Sequence, residues 1–218
     1  GLSVSTTEQM VAISAQDELS YNFNNNEQGW LHLAELGSES SWERATPQVG
    51  FNSNDASWVT NASGDYNARE KSFLYSPAFD ISNIDQPVLS FDLWLDLTGS
   101  DGLIIEYSTD DLIVEDPNKE WTTLGRLASG LNWYNSDELD LEDLGFGIGW
   151  SDNLGDTAIS FNAKHVLDEI LNAENGGSQV LFRFYLSSNS SSTTNGVAID
   201  NFSIESRNRN ILVEYFGN

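Results

Sequence analysis

The chain has 218 residues, of which 34 are acidic and 9 basic, for a formal net charge of −25, and it contains no cysteine. That charge argues against nucleic acid, whose phosphates need clustered Lys and Arg, and against anionic membrane surfaces; the missing cysteines exclude disulfides, thiolate metal sites and a Cys nucleophile. No apolar run of about 18 residues is present, so no membrane insertion is expected, whereas 39% hydrophobic and 11% aromatic residues supply a sizeable core.

In chain order, residues 1–18 read as a leader with one short helix or edge strand near Met10–Ile13. Leu19–Phe23 is the first strand, Asn22–Gln28 a polar turn, and Gly29-Trp30 opens the next strand. Ser38–Glu43 and Ser57–Thr60 are short strands, and Ser72–Ser76 runs extended into Pro77. Pro87–Asp96 alternates: Val88, Ser90, Asp92 and Trp94 face one way, Leu89, Phe91, Leu93 and Leu95 the other, as in a half-buried strand. Leu103–Ser108, Glu120–Leu124, Leu131–Asn135 and Thr157–Phe161 are further strands, and Asp137–Gly155 is expected to be a long surface loop. Lys164–Asn172 is the expected helix, with Val166, Leu167, Ile170 and Leu171 on one side and Asn175-Gly176-Gly177 ending it.

The stretch Val180–Ser203 organises the rest. Val180–Leu186 is apolar or aromatic at every position but Arg183, and Gly196–Ile204 follows after a loop of Ser, Thr and Asn. The two runs are expected to be neighbours in one sheet. Asp200 then lies among apolar neighbours and needs a partner, either Arg183 or a bound cation. The tail 207–218 carries a last apolar run, ILVEYF, which is either a final strand or the start of a following domain. Many short strands, turn-rich links and one short helix predict an all-β, two-sheet antiparallel jelly-roll sandwich.

The pieces NFNNNEQGW at Asn22–Trp30, SWVTNASGDY at Ser57–Tyr66, FLYSPAFDIS at Phe73–Ser82, PVLSFDLWL at Pro87–Leu95, DGLIIEYSTD at Asp101–Asp110 and GVAIDNFSI at Gly196–Ile204 occur in that order. Together they resemble the MAM-like jelly-roll domains of secreted bacterial proteins, which include immune-inhibitor-A peptidase accessory domains, cleaved adhesins and choice-of-anchor modules. The resemblance covers 19–206. It implies a secreted or cell-surface location, a partner that is a protein surface, a glycan surface or an adjacent domain, and a structural calcium. Asn24 stands where the family often has Glu, and Asp200 matches the family's late Asp. With Asp55 they form the expected metal set, completed by backbone carbonyls to the 6–8 oxygens that calcium takes.

Catalysis finds little support. His32 and His165 are far apart in sequence, and neither G-x-S-x-G nor H-E-x-x-H occurs. Seven Trp are present, and Trp133, Tyr134 and Trp150, flanking the expected long loop, are the aromatic side chains expected to be exposed for sugar stacking. The sequence therefore predicts a non-catalytic adhesion or accessory module. A carbohydrate-binding module of a polysaccharide-degrading enzyme and a glycoside hydrolase are the alternatives.

Overall fold

The computed structural model describes residues 18–51, 55–109, 119–140, 146–151, 158–172, 179–189 and 192–207. All of the expected leader but Glu18, which opens a strand, the acidic stretch 110–118 and all of the tail but Arg207 lie outside the described residues.

Two antiparallel sheets pack face to face as a jelly-roll sandwich. Sheet I runs β12 (Ile159–Val166), β7 (Pro87–Asp96), β14 (Gly196–Ser206), β4 (Ser57–Thr60), β3 (Trp42–Ala45), and β1 (Glu18–Tyr21) also pairs with β14. Sheet II runs β2 (Leu31–Ala34), β5 (Lys71–Tyr75), β13 (Gln179–Ser187), β8 (Gly102–Ser108), β9 (Thr122–Thr123), with β6 (Phe79–Asp80) also on β13. A hairpin of β10 (Ser136–Asp140) and β11 (Phe146–Gly149) stands where a surface loop was expected. It forms because Leu139 is fully buried against Gly102 and Gly149, which have no side chain to block it.

The alternation in β7 is realised. Leu89, Phe91, Leu93 and Leu95 are fully buried between the sheets. Phe91 meets Phe184 of β13 edge-on at 5.0 Å, and Trp30 meets Phe202 of β14 at 4.8 Å, so aromatic rings from both sheets interdigitate. In β14 the inward phase changes at Asn201 (φ 49°), where the register with β7 slips; Ile199 and then Phe202 and Ile204 point inward. The bulge thus keeps the strand's apolar residues inside on both sides of the slip.

Three expectations are corrected. The strand over 159–166 extends through most of the expected helix, because Lys164, His165 and Val166 continue the ladder against Ser90, Leu89 and Val88. Only α1 (Asp168–Leu171) remains helical, and Val166 and Leu171, counted on its apolar side, are exposed. Leu131–Asn135 is no strand: Asn132 and Tyr134 take positive φ, and only Leu131 bridges to Lys164. Finally, β13 and β14 belong to different sheets, as a crossover between layers requires.

Two buried carboxylates fasten the connections. Glu70, 1% exposed, accepts hydrogen bonds from the Ser41 amide (2.7 Å) and hydroxyl (2.9 Å) and from the Asn67 amide (3.1 Å). Asp101, fully buried, accepts the Tyr66 hydroxyl at 2.6 Å and the Asn189 amide at 2.8 Å. Both charges are held by several donors, which is what makes such burial tolerable.

Candidate functional site

The outward face of sheet II is built by strand alternation. Residues of β13 pointing inward are Val180, Phe182, Phe184 and Leu186, which leaves Leu181, Arg183 and Tyr185 outward. The register places Tyr75 and Glu106 on either side of Arg183, and Phe73 and Ile104 on either side of Tyr185. Leu31 and Leu33 of β2 extend the same rows beyond β5. The outer face is therefore aromatic and aliphatic as well as the inner one.

Trp121, just before β9, completes it. Its ring lies 5.6 Å from Tyr75 and 4.2 Å from the Arg183 guanidinium, so the indole reaches inward over the sheet. Tyr75 and Leu181 are buried in this cluster, at 5% and 0% exposure, while Trp121, Phe73, Leu31 and Leu33 remain half-buried. Arg183 also stands 4.3 Å from the Phe73 ring, and Phe73 stacks on Tyr185 at 4.9 Å and 25°. Glu106 accepts the Arg183 Nε–H at 2.6 Å. The result is a continuous row Trp121–Arg183–Phe73–Tyr185 whose cation is stacked, paired and fixed. Tyr185 is itself buried at 6% exposure, so the rings this surface offers to apolar faces are those of Trp121 and Phe73, with guanidinium N–H groups for hydroxyls.

The residues singled out in the sequence fall elsewhere. Trp133 and Tyr134 are 2% exposed and Trp150 is fully buried, so the expectation that they are exposed for sugar stacking is corrected. Their polar atoms reach backbone carbonyls: Trp133 Nε1 to Leu124 (3.1 Å), Trp150 Nε1 to Asn132 (3.0 Å), the Tyr134 hydroxyl to Ile105 (3.0 Å). With those bonds made, the rings pack on one another at 4.5–5.4 Å and fill one part of the core. Phe73, Tyr75, Trp121 and Tyr185 were not singled out. For Phe73, Tyr75 and Tyr185 the signal is present: SFLYS and VLFRFYL carry large side chains in both phases of the strand.

Asp200 lies on the outer face of sheet I, directly opposite Asp92, so Arg183 is not its partner. Burial pushes the Asp200 pKa up from 3.8 to about 6; the Asn201 amide opposes this, and the Asp92 and Asp55 carboxylates add to it. Both oxygens of Asp92 accept amides, from Asn162 (2.9 Å) and Asn201 (2.8 Å). The structure thus brings Asp200 and Asp55 into electrostatic reach. Asn24 sits in an exposed turn, its amide bonded to Asn22 at 3.3 Å. Among the described residues no three acidic or histidine side chains are grouped to hold a metal, so these side chains alone do not compose a calcium shell.

The histidines are anchored. His165, 5% exposed, bonds the Ser129 hydroxyl through Nε2 (2.8 Å) and the Val166 carbonyl through Nδ1 (2.7 Å), and burial lowers its pKa. Because Ser129 also accepts the Arg126 amide at 3.0 Å, His165 pins the turn 126–129 to β12. His32 bonds Ser40 at 3.0 Å beside Trp58.

No family model matches the sequence, and no curated protein is significantly similar to it. Among solved structures, the K3 cleaved adhesin domain of Lys-gingipain from Porphyromonas gingivalis W83 has a similar fold (TM-score 0.52, 12% identity, 86% of this chain and 98% of that one). The K2 cleaved adhesin domain of Lys-gingipain is similar as well (TM-score 0.50, 10% identity, 86% and 97%). At such identities the likeness is one of fold, and it falls on the cleaved-adhesin branch of the sequence resemblance. Among the described residues no helix is long and apolar enough to cross a membrane.

Proposed function

We propose that this chain is a non-catalytic binding module of an exported protein, and that it recognises a glycan through the outer face of sheet II. Trp121, Arg183 and Phe73 carry the proposal, since they combine half-buried rings with a fixed hydrogen-bond donor on a sheet face, while the buried Tyr185 backs Phe73. Aromatic rings stack against the C–H faces of sugars, and the guanidinium serves the hydroxyls. The chemistry is the same whether the parent is an adhesin or a polysaccharide-degrading enzyme that uses the chain as its carbohydrate-binding module.

Retention of the purified chain on immobilised polysaccharides and on immobilised proteins tests this. Retention on polysaccharide that Trp121→Ala abolishes supports glycan recognition. Retention on protein alone makes the module a protein binder and contradicts it.

Calcium belongs to this reading as a stabiliser only. Asp200, Asp55 and Asn24 would hold it together with backbone carbonyls. Unfolding in 2 mM calcium and in excess chelator decides: a cation bound to the folded state alone raises the midpoint, and Asp200→Ala then removes the rise. Equal midpoints contradict it.

A further inference from the structure

We infer that the glycan bound at this face is uncharged, a pyranose chain whose equatorial hydroxyls leave flat C–H faces. The inference rests on the glycan reading above and adds its ligand class. The outer face of sheet II gathers Lys71 and Arg183, with Lys119 beside Trp121 at its edge, three of the few cations on a chain of net charge −25. An anionic ligand would need those charges free. Instead the Arg183 Nε–H is spent on Glu106 at 2.6 Å, and Lys71 Nζ stands 3.6 Å from Glu35. Arg183 and Lys71 thus each face a carboxylate, and Lys119 is held over the Trp121 ring, its Nζ 5.7 Å from the centroid.

The Arg183–Glu106 pair is largely shielded, with side-chain exposures of 15% and 10%. Pairs this close to the protein interior interact more strongly than exposed ones, so an incoming carboxylate or sulfate does not readily displace Glu106. What remains for a ligand is the terminal guanidinium amines. Among the described residues neither of them donates a hydrogen bond, and the pair that carries them is neutral as a whole. Donors without net charge suit hydroxyl and ring oxygens. Outside this face the acidic excess repels polyanions over a Debye length of about 8 Å at physiological salt.

The test measures binding of the full chain to three soluble polymers, a neutral β-glucan, a polyuronate and a cationic polymer, at about 0.05 and about 0.5 M NaCl. The neutral glucan is expected to bind with an affinity unchanged within about twofold between the two salts. Trp121→Ala weakens that binding at least tenfold, and Trp121→Phe restores most of it, which separates lost stacking from lost folding. The polyuronate does not bind. A polycation held through the acidic surface is lost at high salt and indifferent to Trp121.

Salt-sensitive, Trp121-dependent binding of the polyuronate, with none of the neutral glucan, overturns the uncharged class and leaves the glycan-binding face intact. Binding of no polymer in a Trp121-dependent way overturns the face itself.

Discussion

Asp200 stands opposite Asp92 on the outer face of sheet I with a pKa raised from 3.8 to about 6. The folded state therefore holds its proton more tightly than the unfolded chain does. The ionised carboxylate destabilises the fold above about pH 6; that cost fades as pH falls through the folded value and is gone below the unfolded one. A shift of this size is worth at most about 3 kcal/mol. With chelator present, Asp200→Asn should raise the unfolding midpoint at pH 8 and leave it unchanged at pH 3. A variant no more stable than the parent at pH 8 contradicts the burial cost. Glu70 predicts the opposite sign: removing a buried carboxylate that accepts several donors leaves them all unpaired, so Glu70→Ala should cost about 2–4 kcal/mol in denaturant unfolding at neutral pH. A loss under about 1 kcal/mol contradicts the fastening role.

At the level of elements, β14 depends on its bulge. Asn201 at φ 49° lets Phe202 and Ile204 return inward. Asn201→Gly should be tolerated and Asn201→Val should cost about 1–3 kcal/mol, read by urea unfolding; equal stabilities would show that the slip does not need a left-handed residue. Trp133→Ala, in the buried aromatic group, should cost about 3–5 kcal/mol, and Trp121→Ala on the outer face clearly less.

These elements also show what the sequence discloses. The β7 alternation and the apolar run of β13 are local patterns, and the strands they announce are present. The strand at 159–161 is legible, but its continuation to Val166 is hidden because Val166, Leu167, Ile170 and Leu171 mimic a helical spacing, and the cross-strand pairing with β7 that overrides it is not local. The metal-set residue Asp200 was located on β14 correctly, yet its supposed partner Arg183 is in the other sheet. Trp133 and Trp150 misled because the ring that packs on them, Phe91, and the carbonyls that satisfy their N–H groups lie in other segments. Trp121 was missed because its value comes from reaching Tyr75, two strands beyond the neighbouring β8.

The whole molecule presents two unlike outer faces. Sheet I carries the Asp92–Asp200 pair, and its apolar patch around Trp94 is covered by its own chain: a Cβ on Gly50 would come within 3.2 Å of that ring. Sheet II carries the aromatic row with Arg183 paired to Glu106. On the reading proposed above, the acidic surface repels polyanions while the aromatic row makes short-range contact that salt does not screen. The most direct test of this division is calorimetric titration of the parent chain, Trp121→Ala and Trp94→Ala with a soluble neutral β-glucan. The sheet II face predicts binding by the parent and by Trp94→Ala within about twofold of each other, and at least tenfold weaker binding by Trp121→Ala, a loss of about 1.4 kcal/mol or more. Binding that survives in Trp121→Ala and is lost in Trp94→Ala, or no binding by the parent, contradicts it.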